Sequence, residues 1–323
     1  MSEWGHHPDL PVKVSPLFRW PIKPYEVFRW FWDSWFLISE RLLLVGVAVL
    51  SWYYVQPSLQ VSQDFAVGWV AQMWVRNLIL MTTVAGGLHL WLFTFKGQGH
   101  TLKYDPRDLA TGRMFTFGSQ TLDNMFWTMV SGVTIWTAYE ALMIWAFANG
   151  YLRVLQFNES PVWFIALFFL IPIWESFYFY WIHRWLHWRP LYKLAHHLHH
   201  RNSNVGPWSG LSMHPVEHVI FLGGVLIHWV IISHPIHILF HLQYYCLTAA
   251  TTHSGFEGLV IKDRNRLALG TFHHQMHHRY FECNYGSLEI PWDLFFGSFH
   301  DGTPESKQAM KERRKRLGAK LGG

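Results

Sequence analysis

Charge is what this sequence has little of. Only 15% of its 323 residues are Asp, Glu, Lys or Arg, against about 25% in soluble domains, while 50% are hydrophobic. That excludes an ordinary pair of soluble domains. Cysteine is nearly missing as well. Cys246 lies in an apolar stretch and Cys283 in a polar loop, so no disulfide framework is indicated and sulfur is not a main metal ligand. No charged-then-apolar leader opens the chain, because Pro8, Pro11, Pro16, Pro21 and Pro24 break up its first thirty residues. No repeat or linker divides it. The net charge of +5 is not gathered into one basic patch, which argues against a nucleic-acid partner.

Aromatic side chains and histidine are abundant instead, with 20 Trp and 22 His. Tryptophan suits membrane–water interfaces. A membrane span needs about 20 mainly apolar residues, and stretches near 37–55, 73–95, 124–149 and 160–182 provide them. Residues 219–250 form a longer apolar stretch interrupted by Ser233, His234 and Pro235, the pattern of a helical hairpin with its tip there. Each arm is short for a full span, so the hairpin either crosses and returns or is re-entrant. If the spans alternate, 24 of the 26 Lys and Arg fall on one side and only Arg76 and Arg153 on the other. The positive-inside rule then places both termini in the cytoplasm. The expected fold is all-α: a multi-pass transmembrane helical bundle with a cytoplasmic, histidine-rich di-metal cap. Its parts are a tail (1–36), N-terminal transmembrane helices (37–159), a catalytic region (160–300) and a basic C-terminal tail (301–323).

The histidines fall into three boxes. His183 and His187 stand at i and i+4, on one helix face. His196, His199 and His200 follow, and His274, His277 and His278 repeat their spacing. A hairpin returns the chain to the side it left, so every box reaches one membrane face. With His253 and His214, these eight are too many for one ion and suit two. His234, His237 and His241 are placed at the hairpin tip or its rising arm, and His89 and His228 within spans, as structural residues. His197 and His273 point off the ligand faces. Metal-bound imidazoles hand their second N–H to an acceptor. Glu175, Glu217 and Asp293 are the candidates, and Glu175, an ionisable group inside a span, is also a functional candidate. Glu140 has weaker support for that role.

Tyr180-Trp-Ile-His-Arg-Trp-Leu-His187, His196-x-x-His-His200, His214-Pro-Val-Glu, His253-Ser-Gly, His274-x-x-His-His278, Asn284-Tyr-Gly286 and Trp292-Asp-x-x-Phe-Gly297 together resemble the sterol desaturase / fatty acid hydroxylase superfamily. The likeness covers residues 160–300; nothing in 1–120 carries a motif of it. It implies a membrane di-iron enzyme that uses O2 and external electrons to hydroxylate or desaturate a sterol or fatty-acyl C–H bond, with zinc able to replace iron during purification. It implies the ligands His183, His187, His196, His199, His200, His253, His274, His277 and His278, with His214 as a further candidate, and a shaping role for Asn284 and Tyr285. Glu175, Asn284 and Tyr285 are thus the expected catalytic residues. Imidazole alone does not choose among Zn, Cu, Fe and Ni. No His-Pro-Gly-Gly haem signature is present, so the electron donor is expected to be a separate cytochrome b5- or ferredoxin-type carrier with its reductase. The expected home is a bacterial inner membrane or the endoplasmic reticulum, with the active site cytoplasmic. Carotenoid hydroxylation is the nearest alternative. A histidine-rich metal transporter fits less well, because transporter sites lie near the midplane, and so does a scaffold that merely binds zinc.

Overall fold

The computed structural model describes residues 4–35 and 39–321. An amphipathic helix α1 (Pro24–Trp35) precedes α2, which starts at Glu40 behind the Ser39 cap and runs on to Val55. The expected start of the first span, at 37, lies outside the described residues. Three long apolar helices follow: α3 (Val67–Thr94), α4 (Gln120–Ala148) and α5 (Pro161–Leu186). With Pro24–Val55 they make four helices, among the described residues, that are long and apolar enough to cross a membrane. Exposed Trp163 and Trp185 stand 22 positions apart on α5. At 1.5 Å per residue that is about 33 Å, close to the roughly 30 Å of a hydrocarbon core. That spacing suits a helix that spans the hydrocarbon with a ring near each interface, and the C-terminal end of α5 carries the first histidine box.

The expected hairpin is α6 (Pro215–Trp229) and α7 (Pro235–Thr252). Its tip reaches the opposite end of the bundle. Leu155 N donates to Ser233 O at 2.9 Å, and Trp163 Nε1 to Ile232 O at 2.9 Å, both from the α4–α5 connection and the start of α5. Pro235 opens α7, with the His234 ring accepting from Ile236 N at 3.1 Å. Fifteen of the 18 residues of α7 are buried, so it is the central strut of the bundle rather than a peripheral dip. It packs against α2, α4 and α5 through Phe240, Leu242, Leu247 and neighbouring residues. At Gly210 the chain between the second box and α6 presses against the end of α7. A Cβ there would sit 1.9 Å from Ala249 O, so only glycine fits.

The fold is helical as expected, with one small addition: β1 (Gly258–Ile261) pairs antiparallel with β2 (Arg264–Ala268) across a turn in which Lys262 and Asp263 take φ of 52° and 56°. The count of basic residues by side changes. Arg76 belongs to no loop. It is buried between α3 and α4, ion-paired with Glu140 and hydrogen-bonded to Gln56 at 2.6 Å and Asn77 at 3.0 Å. Asn77 also donates to Glu140 at 3.0 Å and Thr137 at 3.1 Å. Glu140 is therefore the counter-ion of Arg76 and holds no metal ligand. Removing one member of such a buried pair strands the other, at a cost of about 3–5 kcal/mol. Glu140→Leu should thus lower the melting temperature sharply in detergent, and adding Arg76→Met should recover most of the loss. Equal melting of the single and double variants would show that the pair carries no such coupling.

Candidate metal centre

Nine of the ten expected ligand positions converge in the cap. His183, His187, His196, His200 and His277 form one group, and His199, His253, His274 and His278 a second beside it. Within each, one ring nitrogen per residue lies within 4.8 Å of all the others. The cage is built from three directions. The last turn of α5 supplies His183 and His187. The helical segment 189–200 supplies His196, His199 and His200. His253 ends α7, and α8 (Phe272–Tyr280), capped by the Thr271 hydroxyl, supplies the third box. The H-x-x-H-H boxes do not each serve one ion. In each box the i and i+4 residues join one group and the middle residue crosses to the other: His196 and His200 against His199, and His274 and His278 against His277.

The hydrogen bonds behind the rings fix which nitrogen faces inward. Nδ1 of His183 donates to Tyr285 O (2.7 Å), of His277 to Cys283 O (2.6 Å), of His253 to Ala249 O (2.8 Å) and of His199 to Ser212 O (3.3 Å). His196 Nδ1 meets Glu217 Oε1 at 2.6 Å. The four carbonyls only accept, so the Nδ1 of His183, His277, His253 and His199 carry the proton and their Nε2 present bare lone pairs, whereas burial raises the Glu217 carboxyl to about 7 and the proton between it and His196 can rest on either partner. In the first group the nitrogens run His196–His187–His200–His277, every Nε2–Nε2 contact being 3.1 Å. His277 at one end is bare, and each remaining neutral nitrogen either donates or accepts, so at most two of the three contacts can have a proton of their own. Hydrogen bonding alone cannot close the set; a cation can. In the second group the bare Nε2 of His253 faces His274 at 2.9 Å and His278 at 3.1 Å. Burial holds the pKa of His200, His274, His277 and His278 well below the ordinary histidine value, which keeps the rings in the neutral, ligating form. An all-imidazole donor set of this kind fits Fe, Zn, Cu or Ni.

Asn284 and Tyr285 hold the cage from outside. Asn284, fully buried at φ 58°, donates to His273 O (3.1 Å) and His300 O (3.0 Å) and accepts from His300 N (2.7 Å). Asp293 accepts from the backbone N–H of Tyr285 (2.8 Å) and Gly286 (2.7 Å). Together they present the Tyr285 carbonyl to His183, while the Tyr285 ring stands edge-on to His187 with centroids 4.9 Å apart. His273 is buried beside Asp293, whereas His197 is exposed.

Two expected residues fall elsewhere. His214 caps α6, its Nδ1 accepting from Val216 N at 3.2 Å, outside both groups. Glu175 serves no box histidine; it pairs with His241, whose Nδ1 lies 3.0 Å from His228 Nε2. Phe179, one turn further on, separates it from the cage, with its ring centroid 4.8 Å from that of His183. His228 and His241 therefore have a common role that their spacing does not reveal. The backbone carbonyls behind the rings leave no sequence signal at all.

The fold and site thus define a multi-pass helical membrane protein carrying a two-centre histidine cage. Residues 165–298 match the fatty acid hydroxylase family model, and the chain is similar to sterol desaturases and lathosterol oxidases. It is similar to the Delta(7)-sterol-C5(6)-desaturase of Nicotiana tabacum, 26% identical over 74% of this chain and 87% of that protein. It is also similar to lathosterol oxidase of Mus musculus, 31% identical over 50% of this chain and 51% of that one. To the Delta(7)-sterol 5(6)-desaturase of Candida albicans it is 29% identical over 52% of this chain, and it spans only 45% of that relative's length. No solved structure matches it.

His200→Ala removes a nitrogen that touches two others, and should strip metal from the protein. His237 donates to Phe164 O at the far end of the hairpin, so His237→Ala should keep the metal. Glu175→Gln should also keep it, with stability lower by about 1–3 kcal/mol for the weakened bond to His241. Metal analysis of the purified variants checks all three, and metal loss in Glu175→Gln with retention in His200→Ala would reverse the assignment.

Proposed function

We propose that this chain is a membrane oxidoreductase that binds two iron ions in the histidine cage and uses O2 and external electrons to desaturate or hydroxylate a sterol-class lipid. One observation carries the reading: two adjacent sets of neutral imidazoles, His183, His187, His196, His200 and His277 beside His199, His253, His274 and His278, at the end of an apolar helix long enough to cross a membrane. The sterol class is suggested by the relatives named sterol desaturases and lathosterol oxidases. When bound, the iron pair would supply the redox chemistry that couples O2 reduction to C–H oxidation.

The protein's own groups would do the rest. The carbonyls of Tyr285, Cys283, Ala249 and Ser212 and the Glu217 carboxylate hold the rings in the tautomer that ligates. Asn284 and Asp293 fix the loop that carries two of those carbonyls. Phe179 and Tyr285 place apolar surface against the cage and limit water there. The electrons would come from a cytochrome b5- or ferredoxin-type carrier, and the basic cap gives an acidic carrier a docking face.

Protein purified without oxygen and reconstituted with iron should hold about two iron per chain, and zinc will compete, standing high in the Irving–Williams order. Sterol extracts of cells expressing the parent, but not His200→Ala, should contain a lipid changed by loss of two hydrogens or gain of one oxygen. An unchanged lipid profile with a full iron complement would sink the lipid-oxidase reading.

The cytoplasmic placement rests on basic loops. Both native cysteines are buried, so replacing them and adding single cysteines gives a clean map. Cysteine at Ser203 or Ser306 should label only from the cytoplasmic side, and at Ser58 only from the other. The reverse pattern would keep the shared cage and overturn the side; opposite accessibility of 203 and 306 would overturn the cage itself.

A further inference from the structure

A cavity of about 390 Å³ lies where the N-terminal arm crosses the cap, and none of the nine cage histidines lines it. Its wall includes Lys13, Ser15, Arg19, Arg41, Trp30 and Glu289. Three cations therefore face one carboxylate. Arg41 is already committed: it ion-pairs with Glu289, and its guanidinium lies 4.5 Å from the centre of the Trp35 ring. The other two are not used up. Arg19 reaches Glu26 only at 3.6 Å, and its Nε is buried with no hydrogen-bond partner among the described residues. Lys13 is exposed at the rim. The cavity thus has cationic donors in excess and a buried N–H awaiting an acceptor, a state that costs about 1–3 kcal/mol while unmet.

Its surroundings identify the kind of acceptor. Leu17, Phe18, Trp20, Tyr25 and Phe28 are all exposed around the mouth. Phe18 packs on Phe295, itself exposed, with ring centroids 5.6 Å apart. Such rings belong at the head-group level of a bilayer. Arg41 opens α2 at the end that carries the cage, so the cavity opens at the same interface. Basic pockets between helices at this depth suit anionic head groups, and phosphate oxygens accept well from guanidinium and ammonium donors.

We propose that this cavity binds the phosphate of an anionic phospholipid, with Arg19 and Lys13 as its donors and the acyl chains lying along the exposed rings of α1. A soluble phosphate ester offers the same oxygens but nothing to cover those rings, so the lipid is the ligand. The site tethers the N-terminal arm, whose Ser15 N donates to Leu288 O at 3.0 Å, to both the cap and the membrane. The proposal does not depend on the oxidase reading.

The test uses the full chain in detergent, with thermal melting and native mass spectrometry as readouts. Phosphatidylglycerol should raise the melting temperature and stay bound, while diacylglycerol of the same chains should not. Arg19→Gln and Lys13→Gln should each weaken retention about tenfold, the loss of one charge-assisted bond, and Lys13→Arg should preserve it. Lys13 is exposed, so its variants leave the core untouched. Basic residues of the C-terminal helix Pro304–Leu321 contribute equally to parent and variants. Retention equal to the parent in both Gln variants would overturn the site. Diacylglycerol binding as well as phosphatidylglycerol would overturn the phosphate, and full competition by inorganic phosphate would overturn the lipid.

Discussion

The structure depends on bringing nine imidazole nitrogens into one small volume. Four are made bare by carbonyls behind the rings, burial keeps the others neutral, and lone pairs about 3 Å apart repel unless something positive lies between them. Folding must therefore supply rigid backing for each ring, and a cation makes the assembly favourable rather than merely tolerated. This explains why the cage is backed by main-chain carbonyls more than by side chains. A carbonyl on a fixed turn cannot swing away. The Asn284–Asp293 scaffold exists to hold that turn, spending its polar atoms on His300 N, Tyr285 N and Gly286 N. Asn at a positive φ is among the few residues that tolerate the geometry at low cost.

The same demand sets the architecture below. Two boxes come from the C-terminal end of a 26-residue helix and the segment that follows it, and the third from beyond a hairpin. The cage closes only if the hairpin reaches the far side and returns in register. The contacts of its tip with Leu155, Trp163 and Phe164 fix the distance travelled. Close approach at Gly210 to Ala249, four residues before the C-cap His253, fixes where the last turn of the returning helix lies.

Much of this was legible in the sequence because it is periodic. Box spacing gives helix faces, apolar length gives spans, and Ser233-His-Pro235 gives the hairpin tip. What was not legible depends on tertiary contact. The crossing of His199 and His277 to the opposite group follows from how the segment 189–200 and α8 meet, and no spacing rule contains it. Arg76 was counted with the far-side charges because sequence does not show that Glu140 waits on the neighbouring helix. The strands at 258–268 were missed because Lys262 and Asp263 replace the Asn-Gly or Asp-Gly that usually marks such a turn. Glu175 was assigned to the cage for its position eight residues before His183. Its actual partner, His241, depends on the rotation of α7 against α5.

That partner gives the relay Glu175–His241–His228 a structural meaning. Inside a bilayer, hydrophobicity scarcely distinguishes one helix rotation from another, since lipid tails are as apolar as Leu. A buried hydrogen bond does distinguish them, because any other rotation leaves a carboxylate and two imidazoles unpaired in hydrocarbon. His241 lies twelve residues before His253 on the same helix, about 18 Å along its axis. Over that length a rotation error of a few tens of degrees at His241 would carry the His253 nitrogen off His274 and His278 altogether. The polar contact deep in the membrane therefore sets the angle at which the last ligand of the hairpin enters the cage, even though Phe179 keeps the two apart.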